Sequence, residues 1–380
     1  MPTSTRHIPA LTGLRFLAAL HVVVYHLWRY EVWHLPEPLL RIVKAGPASV
    51  TLFFVLSGYL LASRYRHPAD GDTRKSAASF GLQSYFRARF ARVYPVHLLG
   101  FLVALPVAWA LWQRGDTMPD TGNADFWQSG FWVLSMMQAW HPAHALAVNP
   151  PAWSLSVEVF CYLLFPFLLP KIRFSTRWRL GTATFVLWAI ALLVSGLLAW
   201  VSSQTSDPQQ RQMWVHVFKF HPVVRMPEFI LGMLLSEWVR LYPAQAWRNP
   251  RWQLVAGALV LMAWMGLIPY ALWHNAWLVP TWMWLLGYLS TQPDAGLNRA
   301  LAHPVLERLG EASYALYILH VPFLYWVAGF GRRRFDEAIL ERPMVAISCL
   351  VVLVLMSRVV YRTLENPCRK WLRGASSTPP

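Results

Sequence analysis

Charge is scarce in this chain. Lys, Arg, Asp and Glu make up 14% of its 380 residues, against about 25% in a soluble globular domain. Apolar side chains fill the gap: 56% of residues are hydrophobic and 22 are Trp. No soluble core could bury that much apolar surface, so a soluble fold is excluded. Cysteine is scarcer still. Cys161, Cys349 and Cys368 are the whole complement, and none stands in CxxC or zinc-like spacing, which leaves neither a disulfide nor a metal framework. The ~10-residue alternating segments of a membrane β-barrel are missing. So is an inverted internal repeat of the kind that marks many transporters. Acidic residues are outnumbered, 18 against 34 basic ones, for a net charge of +16. Nucleic-acid binding is set aside, because short cytoplasmic loops of membrane proteins are themselves enriched in Lys and Arg. A signal peptide is not expected: Arg15 interrupts the first apolar run and no small-residue cleavage site follows it.

What is present is a succession of apolar runs, each close to the length that crosses ~30 Å of hydrocarbon at 1.5 Å per residue. Ten spans are expected, at 12–30, 46–64, 92–112, 152–170, 181–201, 222–240, 252–268, 275–290, 312–330 and 344–364. The fold class is thus an all-α, polytopic transmembrane helical bundle, one domain over 1–370 with a disordered tail at 371–380. The stretch FWQSGFWVLSMMQAW, 126–140, is below spanning length and reads as interfacial or re-entrant. With the N-terminus inside, the inner segments hold 21 basic residues and the outer ones 10, so both termini are expected in the cytoplasm. Residues 65–91 read as a cytoplasmic connector, and 113–151 as the longest external segment.

Ionisable groups inside such spans are expensive and face the bundle interior. In LTGLRFLAALHVVVYHL, Arg15 and His26 are 11 residues apart. At 100° per residue they share one stripe of the helix, about 16 Å apart along it. His21 lies about 140° from His26 and points elsewhere. In FFVLSGYL, Ser57 and Gly58 are small enough for close helix approach. Arg89 and Arg92 are i, i+3 neighbours beside Tyr94-Pro95, a pairing suited to clamping phosphate. In NPPAWSLSVEVFCYLLFP, Ser154 and Glu158 share a face, and Glu158 stands about six residues below the outer surface, near the depth of His26. A carboxylate there would orient the imidazole and raise its basicity, so Glu158 is expected within hydrogen-bond reach of His26. SYALYILHVPF places His320 in mid-span beside Ser313, Tyr314 and Tyr317. Glu365 is expected to cap or to pair with basic residues at the inner face, and His141 and His144 of HPAH form a loop pair that is weak as a metal site.

Taken in order, Arg15 with ten residues before His26, FFVLSGYL, the Arg89–Arg92 pair with Tyr94-Pro95, WSLSVEVFCYLLFP, SYALYILH and the terminal LENP resemble acyltransferase family 3, the integral membrane O-acyltransferases. The pieces span residues 10–367. The resemblance implies about ten spans and transfer of an acyl group, usually acetyl from acetyl-CoA, onto a hydroxyl. The acceptors it implies are surface polysaccharides, lipid-linked glycans, peptidoglycan or small lipophilic molecules. It also implies functional roles for Arg15, His26, Ser57, Gly58, Arg89, Arg92 and Glu158. The large soluble C-terminal domain that some members append is not expected here.

On this reading, Arg89, Arg92 and Arg15 hold the anionic part or the pantetheine arm of acetyl-CoA or another acyl-CoA near the inner face. His26, oriented by Glu158, acts as general base on the acceptor, a glycan or lipid-linked saccharide. No metal is expected; membrane lipid is the other partner, and the place is the bacterial inner membrane. A proton-coupled transporter of a glycan or lipid precursor would explain the buried His and Glu equally well, but not the paired inner arginines. A scaffold in a polysaccharide-synthesis complex is a third reading and predicts tolerance of substitution at His26.

Overall fold

The structure, a computed structural model, describes residues 7–29, 36–65, 81–115, 125–269, 272, 275–335 and 342–373. Among these, every regular element is helical. The first apolar run folds as α1 (Pro9–Arg29). A short amphipathic α2 (Glu37–Lys44) leads into α3 (Gly46–Tyr65), followed by α4 (Leu82–Gln113), α5 (Phe126–Leu134), α6 (Trp153–Leu168), α7 (Arg177–Gln204) and α8 (Pro208–Phe220). Then come α9 (Pro222–Leu241), α10 (Pro250–Trp264), α11 (Val279–Thr291), α12 (Gly296–Leu301), α13 (Pro304–Glu311), α14 (Ser313–Phe335) and α15 (Pro343–Val360). A π-helical turn at Tyr361–Glu365 joins α15 to α16 (Asn366–Arg373).

A helix lies on each of the ten apolar runs, but among the described residues seven are long and apolar enough to cross a membrane: those containing α1, α3, α4, α6, α7, α14 and α15. Helix α9 has the length but carries Arg225, Glu228, Glu237 and Arg240. Helices α10 and α11 have 15 and 13 residues, short of the ~20 that a membrane crossing takes. The chain is an all-helical, multi-pass membrane protein. Helix α7 shows which surface meets lipid: Phe185, Leu193 and Trp200 stand exposed along it, on a segment with no charged side chain between Arg179 and the helix end.

The middle of the bundle is the crossing of α3 and α9. A β-carbon at Gly58 would run into the carbonyl of Phe229, and one at Gly232 into the carbonyl of Val55. The two backbones therefore touch, as small residues allow in membranes. Beside the crossing a buried polar cluster ties three helices. The Arg225 guanidinium reaches Glu228 at 3.0 Å and donates to Thr51 Oγ1 at 3.0 Å and to Asn275 Oδ1. Asn275 Nδ2 in turn donates to Ser195 Oγ at 2.9 Å. Arg225 has no exposed surface.

One boundary differs markedly from expectation. Helix α4 begins at Leu82, ten residues before the expected 92. Its first turns are too polar to read as membrane span, but Tyr85 and Arg89 are buried there, and Tyr85 stacks on Phe165 at 5.6 Å between ring centroids. As expected, the 126–140 stretch has no helix of spanning length: α5 has 9 residues and leads into 3₁₀ turns at Gln138–Trp140 and Pro142–His144. This segment folds inward, with Gln138, Ala139, His144 and Asn149 all buried. Of the expected connector, residues 66–80 lie outside the described residues, as do most of MPDTGNAD and the tail from 374; α16 occupies 371–373.

Candidate active site

Helix α1 serves two cavities. Near its C-terminal end His26, with Arg29, Tyr25 and Val22, lines a space of about 440 Å³ closed by Pro150, Pro151 and Trp153 and by one side of α8. About 16 Å back along the same stripe, Arg15 lines a second, smaller space of about 70 Å³. Val50 of α3 and Tyr317 of α14 line both and form the wall between them. His21 faces away, bonded to Ser49 Oγ at 3.0 Å and to the Ile42 carbonyl at 2.8 Å.

At His26 the partner is a second histidine. His320 Nε2 lies 3.1 Å from His26 Nδ1. His26 Nδ1 is also 2.9 Å from the Val22 carbonyl, and His320 Nδ1 is 2.6 Å from the Tyr317 carbonyl. Carbonyl oxygens only accept, so each of these Nδ1 atoms carries a proton. His320 Nε2 is then the lone-pair end of a neutral ring and accepts from His26 Nδ1–H, which it shares with Val22. One tautomer remains for neutral His26: proton on Nδ1, lone pair on Nε2. His320 is wholly buried, and His26 is half-buried at the cavity wall.

The smaller cavity gathers residues from five helices: Arg15 of α1, Ser57 of α3, Arg92 of α4, Ser154 and Glu158 of α6, and Ser313 and Tyr314 of α14. Glu158 accepts from the Tyr162 hydroxyl, and Ser57 Oγ lies 3.5 Å from that same hydroxyl. Arg15 is within electrostatic reach of Arg92, Glu158, Glu365 and Arg369. Glu365 is buried and pairs with Arg369 at 3.5 Å. Among the described residues, two guanidiniums thus share one cavity with a single carboxylate.

The expected bond between Glu158 and His26 is not what these contacts give. His26 pairs with His320, whereas Glu158 bonds Tyr162 and faces Arg15 and Arg92. The reason is where α6 begins. Residues 149–152 are buried, and Asn149 Nδ2 donates to the carbonyl of Ile318, in the second turn of α14, at 3.1 Å. The chain has descended into the bundle before α6 starts. Counting six residues from an outer surface therefore sets Glu158 too shallow. Trp153 lines the larger cavity and Glu158, further along, the smaller. Arg225, an alternative partner for Glu158, is engaged by Glu228.

The remaining expected site residues separate. Arg89 is buried one turn before Arg92, over the rings of Tyr162 and Tyr85 at 5.5 and 5.9 Å, and its Nε has no hydrogen-bond partner. Gly58 lies in the α3–α9 contact, and it is its neighbour Ser57 that reaches the cavity. In the HPAH loop, His144 is held by Ser129 Oγ at 3.0 Å. Among the described residues no group of three or more His, Cys, Asp or Glu is arranged to hold a metal. The pairing that sequence reasoning missed is His26 with His320. An intramembrane histidine on each of two helices was the available signal, but depth counted from the ends of the spans sets His320 about six residues, or ~9 Å, from the level of His26.

Comparison with known proteins bears on the family. A family model described as an acyltransferase domain matches residues 8–362. The chain is 29% identical to the acyltransferase MdmB of Streptomyces mycarofaciens, over 98% of this chain and 94% of that protein. It is 24% identical to the O-acetyltransferase OatA of Staphylococcus aureus, over 97% of this chain but 58% of the relative. A putative O-acetyltransferase of the COL strain of that species is 23% identical, again over 58% of its length. The chain thus spans little more than half of the staphylococcal proteins. No solved structure matches. With a family match running from Ile8 to Arg362, the chain belongs to acyltransferase family 3 and is an acyltransferase.

Proposed function

We propose that the protein is an O-acyltransferase of the bacterial inner membrane. It takes an acyl group, acetyl in the simplest case, from acyl-CoA on the cytoplasmic side and gives it to a hydroxyl of a glycan or lipid-linked saccharide on the outer side. The bundle then crosses the membrane ten times, with α9, α10 and α11 as the additional spans and both termini in the cytoplasm. The supporting observation is α1, whose Arg15 lines one cavity and whose His26 lines the other, with Val50 and Tyr317 between them. A reaction that joins two compartments needs that layout.

In this reading the donor's anionic end lies with Arg92 and Arg89, whose planar forks suit phosphate, and its thioester comes up to the wall past Arg15 and Ser57. Gly58 keeps α3 against α9 and so fixes the position of Ser57. Glu158 balances the charge of Arg15 and Arg92 and, through Tyr162, sets the shape of the cavity. His26 Nε2 takes the proton of the acceptor hydroxyl as its oxygen attacks the thioester carbonyl. The carbon–sulfur bond then breaks, and the proton returns from His26 to the leaving CoA thiolate. His320 holds the Nδ1–H of the imidazolium meanwhile. General-base catalysis of this kind contributes roughly 10²–10⁴ in rate. The route as written uses no metal.

The test is transfer of label from [¹⁴C]acetyl-CoA into envelope glycans and lipids by membranes carrying the protein. His26→Ala should abolish transfer while leaving insertion intact, and His21→Ala should retain most of it. Near-normal transfer by His26→Ala overturns the general-base assignment.

A further inference from the structure

Acyl transfer passes through a tetrahedral carbon whose former carbonyl oxygen carries negative charge. Such an oxygen is stabilised by hydrogen-bond donors that are already in place. His26 does not supply one, since its Nε2 is the base and its Nδ1–H goes to His320 and Val22. The two cavities say where the donor has to stand. The attacking hydroxyl comes from the His26 side and the thioester from the Arg15 side, so the new bond forms at the wall between them. Among the described residues, Val50 and Tyr317 alone line both spaces. Val50 has no polar side-chain atom, whereas Tyr317 has a phenolic O–H.

That hydroxyl is parked on an acceptor that can release it. Tyr317 Oη donates to the Pro151 carbonyl at 3.2 Å, long for an O–H···O bond, whose usual length is about 2.7–2.8 Å. Ser154 Oγ donates to the same carbonyl at 3.0 Å, and the Trp153 N–H is divided between it and the Pro150 carbonyl. Three donors thus converge on one oxygen with two lone pairs, and Pro151 stays satisfied when Tyr317 leaves. Pro151 lines the His26 space and Ser154 the Arg15 space, so the phenol oxygen stands at their boundary. The ring itself is buried and meets Phe53 edge-on, 5.9 Å between centroids. Tyr317 and His320 are i, i+3 neighbours on α14, and His320 Nδ1 donates to the Tyr317 carbonyl at 2.6 Å. The ring centroids of Tyr317 and His320 are 6.0 Å apart, and those of His320 and His26 4.8 Å. One turn of α14 therefore carries both the phenol and the partner of the base.

We infer that Tyr317 is a catalytic residue, whose hydroxyl donates to the oxyanion of the tetrahedral intermediate. This rests on the reading of His26 as the base at a two-sided transfer site. As the acceptor oxygen bonds to the thioester carbon and His26 takes its proton, the carbonyl π pair moves onto oxygen. Tyr317 turns its O–H from Pro151 to that oxygen and keeps its own proton throughout. The pair then returns to remake the carbonyl, the carbon–sulfur bond breaks with its electrons on sulfur, and the Tyr317 hydroxyl goes back to Pro151. The same small rotation moves the phenol off the wall, so the passage between the cavities opens where the oxyanion forms.

The experiment follows label from [¹⁴C]acetyl-CoA to extracted envelope glycans and lipids, with the purified full chain in lipid nanodiscs. Tyr317→Phe keeps the ring and should lower kcat about 100-fold or more, with the KM for acetyl-CoA and the Tm unchanged. Tyr317→3-fluorotyrosine keeps ring and hydroxyl but donates more strongly. Its kcat should exceed the native value, because an alkoxide oxygen responds to a stronger donor more than the neutral Pro151 carbonyl does. A merely structural anchor on Pro151 would leave that kcat unmoved. If Tyr317→Phe does not fold, the fluorinated variant decides alone. Three results overturn the inference. One is a kcat in Tyr317→Phe within a few-fold of native, or a loss that falls on the donor KM instead. Another is no rise in the fluorinated variant. The third is label that stays covalently on the native chain when acceptor is withheld and not on Tyr317→Phe, since the hydroxyl would then carry the acyl group itself. The parent reading is judged separately, by whether transfer disappears in His26→Ala.

Discussion

Replacing His320 by leucine or by glutamine separates its chemistry from its volume. His320 is buried and offers His26 one acceptor, Nε2, at 3.1 Å; Val22 offers another at 2.9 Å. When His26 takes a proton, its Nδ1–H becomes a charged donor, and a hydrogen bond to a charged group contributes about 1.5–3 kcal/mol. The Val22 carbonyl keeps part of that when His320 is gone. The loss to the transition state is then about 1–2 kcal/mol, or roughly 5- to 30-fold in kcat. His320→Leu fills the site without an acceptor and should show this loss with an unchanged KM for acetyl-CoA, because the donor cavity is untouched. In His320→Gln the amide oxygen can stand where Nε2 stood, and most of kcat should return. The assay is the initial rate of label transfer from saturating [¹⁴C]acetyl-CoA to envelope acceptors. A fall that is equal in the leucine and glutamine variants, or no fall in the leucine variant, refutes the orienting role.

Other substitutions address the second cavity and the frame. Arg92→Ala should raise the KM for acetyl-CoA about tenfold or more and leave that of the acceptor unchanged, with Arg92→Lys milder because an ammonium lacks the bidentate fork. Unchanged CoA affinity in the Arg89→Ala/Arg92→Ala double variant, measured by titration, would make these residues anchors only. Glu158→Gln should act on donor KM, leaving the pH profile of kcat as it is; a shifted profile would restore a direct link to His26. Arg225→Ala strands Glu228 in the α3–α9 contact and should cost about 3–5 kcal/mol, seen as a lower Tm in detergent. Gly58→Leu should likewise lower Tm, since no rotamer avoids the Phe229 carbonyl; an unchanged Tm would mean that α3 and α9 separate without penalty.

Hydropathy and charge gave the helices because lipid imposes them segment by segment. Each apolar run carries a helix, and the short α10 and α11 are the segments whose length alone fails. Residue spacing on one helix was equally legible, since Arg15 and His26 need only the helical repeat to be assigned to one stripe. Relations between helices were not. Glu158 was misjudged because depth was counted from an outer surface, whereas α6 starts from a turn at 149–152 that is already buried. His320 escaped as a partner because its level is set by how α12 and α13 lead into α14, which hydropathy does not record. The Arg225–Glu228 pair is set by a contact between helices, since both meet Thr51 of α3, which spacing along one helix does not record.

The wall of Val50 and Tyr317 bears on the energetics of the bilayer itself. A continuous water path through the bundle would let ions run down the membrane potential, about 2.3 kcal/mol per charge at 100 mV. Val50 and Tyr317 line both cavities and stand where such a path would run. On the proposed sidedness, the acyl group passes outward as the formal equivalent of an acyl cation, its bonding pair left on the CoA thiolate, and the hydroxyl proton it replaces passes inward to that thiolate. One exchanges for the other and no net charge is moved. Turnover should then be indifferent to voltage, as that of a voltage-driven transporter is not.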